Sequence, residues 1–254
     1  MAEPALNLIS DLTPAAQDRA ASSFEEVYIR LRSREGRIYT DEELLLLPQV
    51  FPRHRHYKEW KLRKTSAEKL KRYLEKKNRA LSVLEAGCGN GWLSRFLSAI
   101  PLSNVTGTDI NRTELLQAKR VFGHVPRLHF VAGGIEAAGI AGKLYDCVVF
   151  ASSIQYFRSL KNVLEDTLPL IKPGGEIHIL DSPFYRQEQL AAARAATKRH
   201  FIKSGFPEMT DHYFHHGLDE LNGYSHSFLF QPGLFSRYIQ MNKNPFPWIC
   251  IKKA

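Results

Sequence analysis

The chain has 254 residues, 44% of them hydrophobic, a formal charge of +9 and three cysteines. That is enough apolar material for one well-filled domain with an appendage. It holds no apolar run of about 18 residues that would cross a membrane, and its cysteines (Cys88, Cys147, Cys250) are too few and too scattered for a disulfide framework or zinc site, which fits reduced thiols in a cytoplasmic protein. The opening stretch, acidic early and without a basic-then-apolar pattern, does not read as a secretion signal.

The positive charge is local. Residues 53–79 carry twelve Lys and Arg against three Glu, which accounts for the whole excess. The first 20 residues are polar and alanine-rich. Ser22–Gly36 reads as a helix with Ser23 as cap and Gly36 as stop, and "TDEELLLLPQV" as another, capped by Thr40 or Asp41 and broken at Pro48. "HYKEWKLRKTSAEKLKRYLEKKN" reads as a long amphipathic helix with a break near Thr65-Ser66. Lys69, Lys71, Lys76 and Lys77 form its solvated face; an anionic substrate or an RNA backbone is the alternative occupant.

From Leu81 the texture changes. "LSVLEA", "NVTGTDI", "LHFVAG", "YDCVVFAS" and "EIHILD" read as strands. "WLSRFLSAI", "RTELLQAKRVF" and "LKNVLEDTLPLI" read as helices, and "KPGG" as the turn into the fifth strand. The alternation predicts an α/β fold with a parallel sheet covered on both faces. "SRYIQMN" and "WICIK", flanking "KNPFP", read as a terminal antiparallel pair.

The first strand runs into "LEAGCGNGW" (84–92), where Gly87, Gly89 and Gly91 form the strand-to-helix turn and let backbone approach a ligand. A dinucleotide site wants G-x-G-x-x-G, whereas here the spacing is G-x-G-x-G and a carboxylate, Glu85, precedes it. That charge suits a cationic ligand better than a pyrophosphate. The next strand ends in Asp109, placed to accept both hydroxyls of a ribose.

Together these stretches resemble the class I S-adenosylmethionine-dependent methyltransferases of the small-molecule type. "VLEAGCGNGWLSRFL" is similar to their first motif, "VTGTDIN" to the second-strand motif, "YDCVVFASSIQYF" to the fourth strand and its sequel, and "LPLIKPGGEIHILD" to the helix, turn and fifth strand. The resemblance covers roughly residues 80–183 and implies a Rossmann-like, mostly parallel seven-stranded sheet with an antiparallel C-terminal strand and helices on both faces. It implies a domain over 80–254 with a lid-like insertion at about 184–233, and a helical extension over 1–79 able to act as a lid. The implied cofactor is S-adenosyl-L-methionine, leaving as S-adenosyl-L-homocysteine. Glu85 and the Gly87-Cys88-Gly89-Asn90-Gly91 backbone would hold the methionine end; Asp109 would take the ribose and Ile110 the adenine; Ala151 and Ser152 would line the sulfonium. After the third strand, where relatives place an acid for the adenine amino group, this chain has Gly133 and Gly134, leaving the contact to backbone around Gly134 and Ile135 or to Glu136.

Methyl transfer asks chiefly for alignment and exclusion of water, with a general base where the acceptor is a hydroxyl or amine. The insertion supplies His212, Tyr213 and Tyr185 as catalytic candidates and Arg186, His215 and His216 as acceptor or lid residues. Histidines about four apart on a helix could share a metal with Asp211; a hydrated lid surface is the simpler reading, and no metal is expected. Tyr57, Trp60 and Arg63, at i, i+3 and i+6, are further lid or substrate candidates.

The expected activity is methyl transfer to a small-molecule acceptor, with no membrane partner. An RNA or protein methyltransferase using the basic helix is the second reading, although no RNA-binding module is present and "ASSIQYF" stands where amino-methylating enzymes carry N/D-P-P-Y/F. "SPFY" (182–185) follows the fifth strand instead. A non-catalytic interaction protein on the same fold is the third.

Overall fold

The computed structural model describes residues 14–232 and 244–253, with side chains from residue 23 onward. Three helices come first: α1 (Pro14–Glu35), α2 (Asp41–Leu46) and α3 (Tyr57–Glu75). Helix α1 begins well before the predicted start, so Ser23 lies inside it rather than capping it; Gly36 ends it at φ +68°. Helix α2 has the expected cap: Thr40 Oγ1 accepts from Glu43 N–H at 3.2 Å, while the Glu43 carboxylate accepts from Thr40 N–H at 2.9 Å. Helix α3 runs unbroken through Thr65-Ser66. The hydroxyls that could have competed with the helix are satisfied without leaving it, since Thr65 Oγ1 donates to Lys61 O and Ser66 Oγ to Asp181.

The sheet follows as β1 (Ser82–Ala86), α4 (Trp92–Leu97), β2 (Asn104–Asp109), α5 (Arg112–Phe122), β3 (Leu128–Ala132), β4 (Tyr145–Ala151), α6 (Leu160–Thr167) and β5 (Ile171–Leu180). After a short strand β6 (Phe184–Tyr185), helix α7 (Gln187–Ser204) and strand β7 (His216–Gly217), the chain enters β8 (His226–Phe230) and β9 (Trp248–Lys252). The seven-stranded order is β3-β2-β1-β4-β5-β9-β8, with β9 antiparallel to both neighbours. This is the expected Rossmann-like methyltransferase sheet. The partner of β9 is β8, ahead of the predicted "SRYIQMN" (236–242), which lies outside the described residues. "KPGG" is drawn into β5, where the register against β4 shifts between Tyr145 and Cys147 and Gly174 takes φ +71°.

Strand parity sorts the core into two layers. Val83, Cys147, Val149, Leu180 and Trp248 face one side, against Trp60, Leu70 and Leu74 of α3 and Trp92, Leu93 and Leu97 of α4. Their neighbours Leu84, Ala86, Val148, Phe150, Ile177 and Ile249 face the other, against Leu160, Val163 and Leu164 of α6. The order reverses between β1 and β4, the crevice where open sheets of this kind receive ligands. Glu85 shares the parity of Val83, which aims a carboxylate into the α3–α4 side just below that crevice.

Candidate functional site

The first helical turn of α4 is entered through three left-handed glycines, Gly87 (φ +77°), Gly89 (+52°) and Gly91 (+75°). Space adds to the backbone requirement: a Cβ on Gly87 would lie 2.5 Å from Ser153 Cβ, and one on Gly91 2.6 Å from the Phe130 ring. The turn is tied to β2 from beneath. Gly87 and Cys88 N–H donate to Thr108 O, and Gly89 N–H donates to Asp109 Oδ2 at 2.7 Å. The other oxygen of Asp109 accepts Asn111 N–H at 2.7 Å, and Asn111 in turn caps α5 through Glu114 N–H.

Above the turn lies an open cleft. Its floor is Glu85, Gly87, Cys88, Gly89 and Asn90 from the turn and Ala151 and Ser152 from the end of β4. Trp92 and Glu114 wall it from α4 and α5. Its roof is the N-terminal extension: Tyr28 and Arg32 of α1, Arg37 and Tyr39, and Glu59, Trp60 and Arg63 of α3. The roof is well braced. Trp60 Nε1–H donates to Tyr39 Oη at 2.8 Å and packs edge-on to Trp92; the Glu59 carboxylate joins Arg37 at 2.6 Å and Arg63 at 3.1 Å.

The electrostatics of the floor are unusual. Glu85 is 2% exposed and accepts a hydrogen bond from Ser94 Oγ–H at 2.5 Å. Burial, with the nearby Asp109 charge adding to it, pushes its pKa up to about 8 against the hydrogen bond from Ser94. Burial likewise pushes Glu114 up to about 7, and Asp109 is raised for the same first reason. Three desolvated carboxylates frame one cleft, and no ion pair to Glu85 is recorded among the described residues. A ligand carrying its own positive charge would satisfy Glu85, while Arg32, Arg37 and Arg63 of the roof offer cations to an anionic group.

Of the predicted residues, Glu85, Gly87, Cys88, Gly89, Asn90, Ala151, Ser152, Trp60 and Arg63 are brought together on the cleft. Asp109 supports it from below through the bonds above, and Gly91 closes the turn by donating its N–H to Cys88 O at 2.9 Å. Ile110 is 38% exposed beyond Asp109. Gly133 N–H bonds Asp109 O, and Gly134 lies under the Glu136 carboxylate, where a Cβ would meet Glu136 Oε2 at 2.3 Å. The Ile135 side chain is buried in the α6-side core, so only its backbone can face a ligand. Tyr57 does not line the cleft.

None of the candidates from the insertion lines the cleft either. His212 ends a 3-10 turn, Pro207–His212, with its ring 5.2 Å from Phe24 of α1; Tyr213 packs on Tyr156, Phe201 and His215. Tyr185 packs on His215, whose Nε2 meets Thr197 Oγ1 at 2.8 Å, while His216 is buried with Nε2 on Ile154 O at 3.0 Å. Arg186 is exposed at the start of α7. The three histidines share no helix, which removes the geometry a common metal would need. Among the described residues the cluster with metal-ligating potential is elsewhere, at Glu176, His178 and Cys250. There Trp248 Nε1–H donates to His178 Nδ1, His178 Nε2 meets Glu176, and Glu176 also takes Lys77 and Tyr73, so its donors are engaged in a hydrogen-bonded network.

Sequence reasoning missed Tyr28, Arg32, Tyr39 and Glu114. Tyr28 and Arg32 come from a helix whose path over the sheet is a tertiary matter, and Tyr39 from the link that follows it. Glu114 carried a usable signal: it is the acid three residues after the α5 cap, one turn from Asp109.

Residues 83–175 match the family model described as a methyltransferase domain. Curated relatives include malonyl-[acyl-carrier protein] O-methyltransferase 2 of Ilyobacter polytropus, 30% identical over 112 residues, covering 44% of this chain and 43% of that one. Another is the malonyl-[acyl-carrier protein] O-methyltransferase of Priestia megaterium, 28% identical over 101 residues (39% and 36%). The chain thus spans less than half the length of the curated relatives it matches. Among solved structures it is similar to magnesium protoporphyrin IX methyltransferase of Synechocystis PCC 6803 with bound S-adenosylhomocysteine (TM-score 0.56, 15% identity, 94% of this chain and 99% of that one). It is also similar to the plantazolicin methyltransferase bound to the same product (TM-score 0.53, 17% identity, 90% and 100%). At such identities these likenesses establish the fold.

Proposed function

We propose that this chain, whose residues 83–175 carry a class I S-adenosylmethionine-dependent methyltransferase domain, transfers a methyl group to an oxygen of a small-molecule acceptor. The observation that carries the reading is Glu85: a desolvated carboxylate on the floor of the cleft, with no ion pair to it among the described residues, beside a glycine turn pinned to Asp109. The choice of oxygen rests on the names of the curated relatives.

In this reading Glu85 and the Gly87 backbone receive the methionine ammonium, and Arg63, whose Nε is held by Glu59, receives the methionine carboxylate. Asp109 takes the ribose hydroxyls, with Glu114 beside it. Ile110 covers the adenine, and the Glu136 carboxylate over Gly134 stands in for the acid absent after β3. Ala151 and Ser152 border the reacting end. Bound, the cofactor supplies a methyl group already activated by a positively charged sulfur. What the chain adds is alignment and dryness: Trp60, Trp92 and Tyr39 keep water out, and the carboxylate floor favours the cationic donor. The N-terminal extension acts as the lid.

Calorimetric titration of the purified chain with S-adenosylhomocysteine tests the proposal. Saturable one-to-one binding is expected. Absence of binding, or binding of NADH in its place, would defeat it.

A further inference from the structure

A second pocket opens at the carboxyl end of β5, on the other flank of α3 from the cofactor cleft. It is a narrow, open pocket whose apolar lining is Leu180, Phe230, Phe246, Pro247 and Trp248. Its polar lining is Thr65, Ser66, Lys69, Asp181 and Asn244, with the Lys69 ammonium 4.8 Å from the Phe230 ring centre.

Three observations join this pocket to the cofactor cleft. Ser152, on the cleft floor, donates from Oγ to Asp181 O at 3.0 Å, so the ends of β4 and β5 are fastened side by side. Both residues hold the left-handed conformation, Ser152 at φ +56° and Asp181 at +52°. Arg63 on the cleft and Ser66 on the pocket are one turn apart on α3, and the Arg63 charge is felt by both Glu85 and Asp181.

Asp181 is also aimed. Its Oδ1 accepts Ser66 Oγ–H at 2.6 Å and Asn244 Nδ2–H at 2.9 Å, and among the described residues no hydrogen bond reaches Oδ2. A carboxylate clamped through one oxygen and desolvated at the other is a strong acceptor for an incoming O–H and a poor neighbour for a second carboxylate.

Resting on the methyltransferase reading above, we propose that this pocket seats the methyl acceptor, which is a hydroxyl compound with a compact apolar ring or chain: the hydroxyl is held by Asp181 and the body lies between Phe230 and Trp248. A polar tail can reach Lys69. The acceptor chemistry therefore differs from the free carboxylate that a malonyl group offers.

The test uses fluorine NMR on the full chain saturated with S-adenosylhomocysteine, with 4-fluorophenol and 4-fluorobenzoate as probes. The phenol should bind about tenfold or more tighter than the benzoate, as a single hydrogen bond to a charged acceptor supports. Asp181→Asn should erase most of that preference, and Phe230→Ala should weaken the phenol while S-adenosylhomocysteine affinity stays within about twofold in both variants. Benzoate binding as tightly as phenol, binding of neither probe, or a phenol affinity indifferent to both substitutions would overturn the inference. Failure of the wild type to bind S-adenosylhomocysteine would instead strike the methyltransferase reading.

Discussion

The Asp109 carboxylate accepts the Gly89 N–H at 2.7 Å, so the acid at the end of β2 holds the glycine turn of β1 in shape. In the function proposed above, Asp109 would have two tasks, fixing the glycine turn and offering its remaining lone pairs to a ribose. Asp109→Ala should therefore lose more than two ligand hydrogen bonds, each worth about 1.5–3 kcal/mol to a charged acceptor. Calorimetry with S-adenosylhomocysteine should show binding weakened by at least about a hundredfold, with Asp109→Asn less affected because it can still accept from Gly89. Gly89→Val should be as damaging as alanine at 109, since φ is +52° and the added Cβ would press on Glu114 Oε2 at 3.2 Å.

If Glu85 receives the methionine ammonium as proposed, cofactor binding should be proton-linked. Its carboxyl is raised from an ordinary 4.5 to about 8 in the folded, ligand-free protein. Over that interval the folded state binds the extra proton, so this group's contribution to stability falls as pH rises from about 4.5 through 8. The interval corresponds to roughly 4–5 kcal/mol at most. A cationic ligand favours the ionised form, so binding should release a proton and tighten between pH 6 and 8. Calorimetry in two buffers of different ionisation heat reads the proton directly. Glu85→Gln should melt higher than wild type at pH 8, bind S-adenosylhomocysteine about tenfold or more weakly, and lose the proton release. A wild-type affinity flat across this range would remove Glu85 from the ammonium site.

Arg63 separates a ligand contact from a lid contact. Its guanidinium is held by Glu59 at 3.1 Å and lies 5.4 Å from the Trp60 ring centre, with the cleft on its other side. Arg63→Ala should weaken S-adenosylhomocysteine by about 10- to 100-fold, the worth of a charged pair in a sheltered site. Adenosine, which lacks the amino-acid end, should bind both proteins alike. Equal losses for the two ligands would show that Arg63 positions the roof and does not touch the methionine.

Much of this site was readable in the chain because it is made of backbone and strand ends. The run "RTELLQAKRVF" coincides with α5, since Asn111 caps it and its apolar residues keep a helical period. The three glycines and Asp109 were legible for the same reason: their positions follow from where strands stop. Tyr28 and Arg32 were not, because nothing local tells a helix which part of a sheet it will cross, and Tyr39 was not, because its place follows from the link between α1 and α2. His212, Tyr213 and His215 misled in the opposite way. Their polar atoms suggested chemistry, while their rings are used to pack the insertion against α1. "KPGG" was taken for a plain turn because a bulge and a turn use the same glycine conformation.

That packing leads to the last prediction. Phe24 and Tyr28 of α1 meet Tyr156 at 5.9 and 5.7 Å, and Tyr156 meets Tyr213 at 5.9 Å, so one chain of rings runs from the roof of the cleft to the insertion. Tyr28 and Arg32 enter the cleft from the same helix. An acceptor-binding Tyr213 would lower turnover and leave both melting temperature and cofactor affinity unchanged. The ring chain demands the reverse: Tyr213→Ala should cost about 1–3 kcal/mol of stability and weaken S-adenosylhomocysteine along with it, because α1 loses its outer support. Tyr213→Phe, which keeps the ring and removes only the hydroxyl, should restore both. A Phe variant that melts and binds normally yet fails to turn over would return Tyr213 to the chemistry; one that also turns over normally makes it a buttress for the lid.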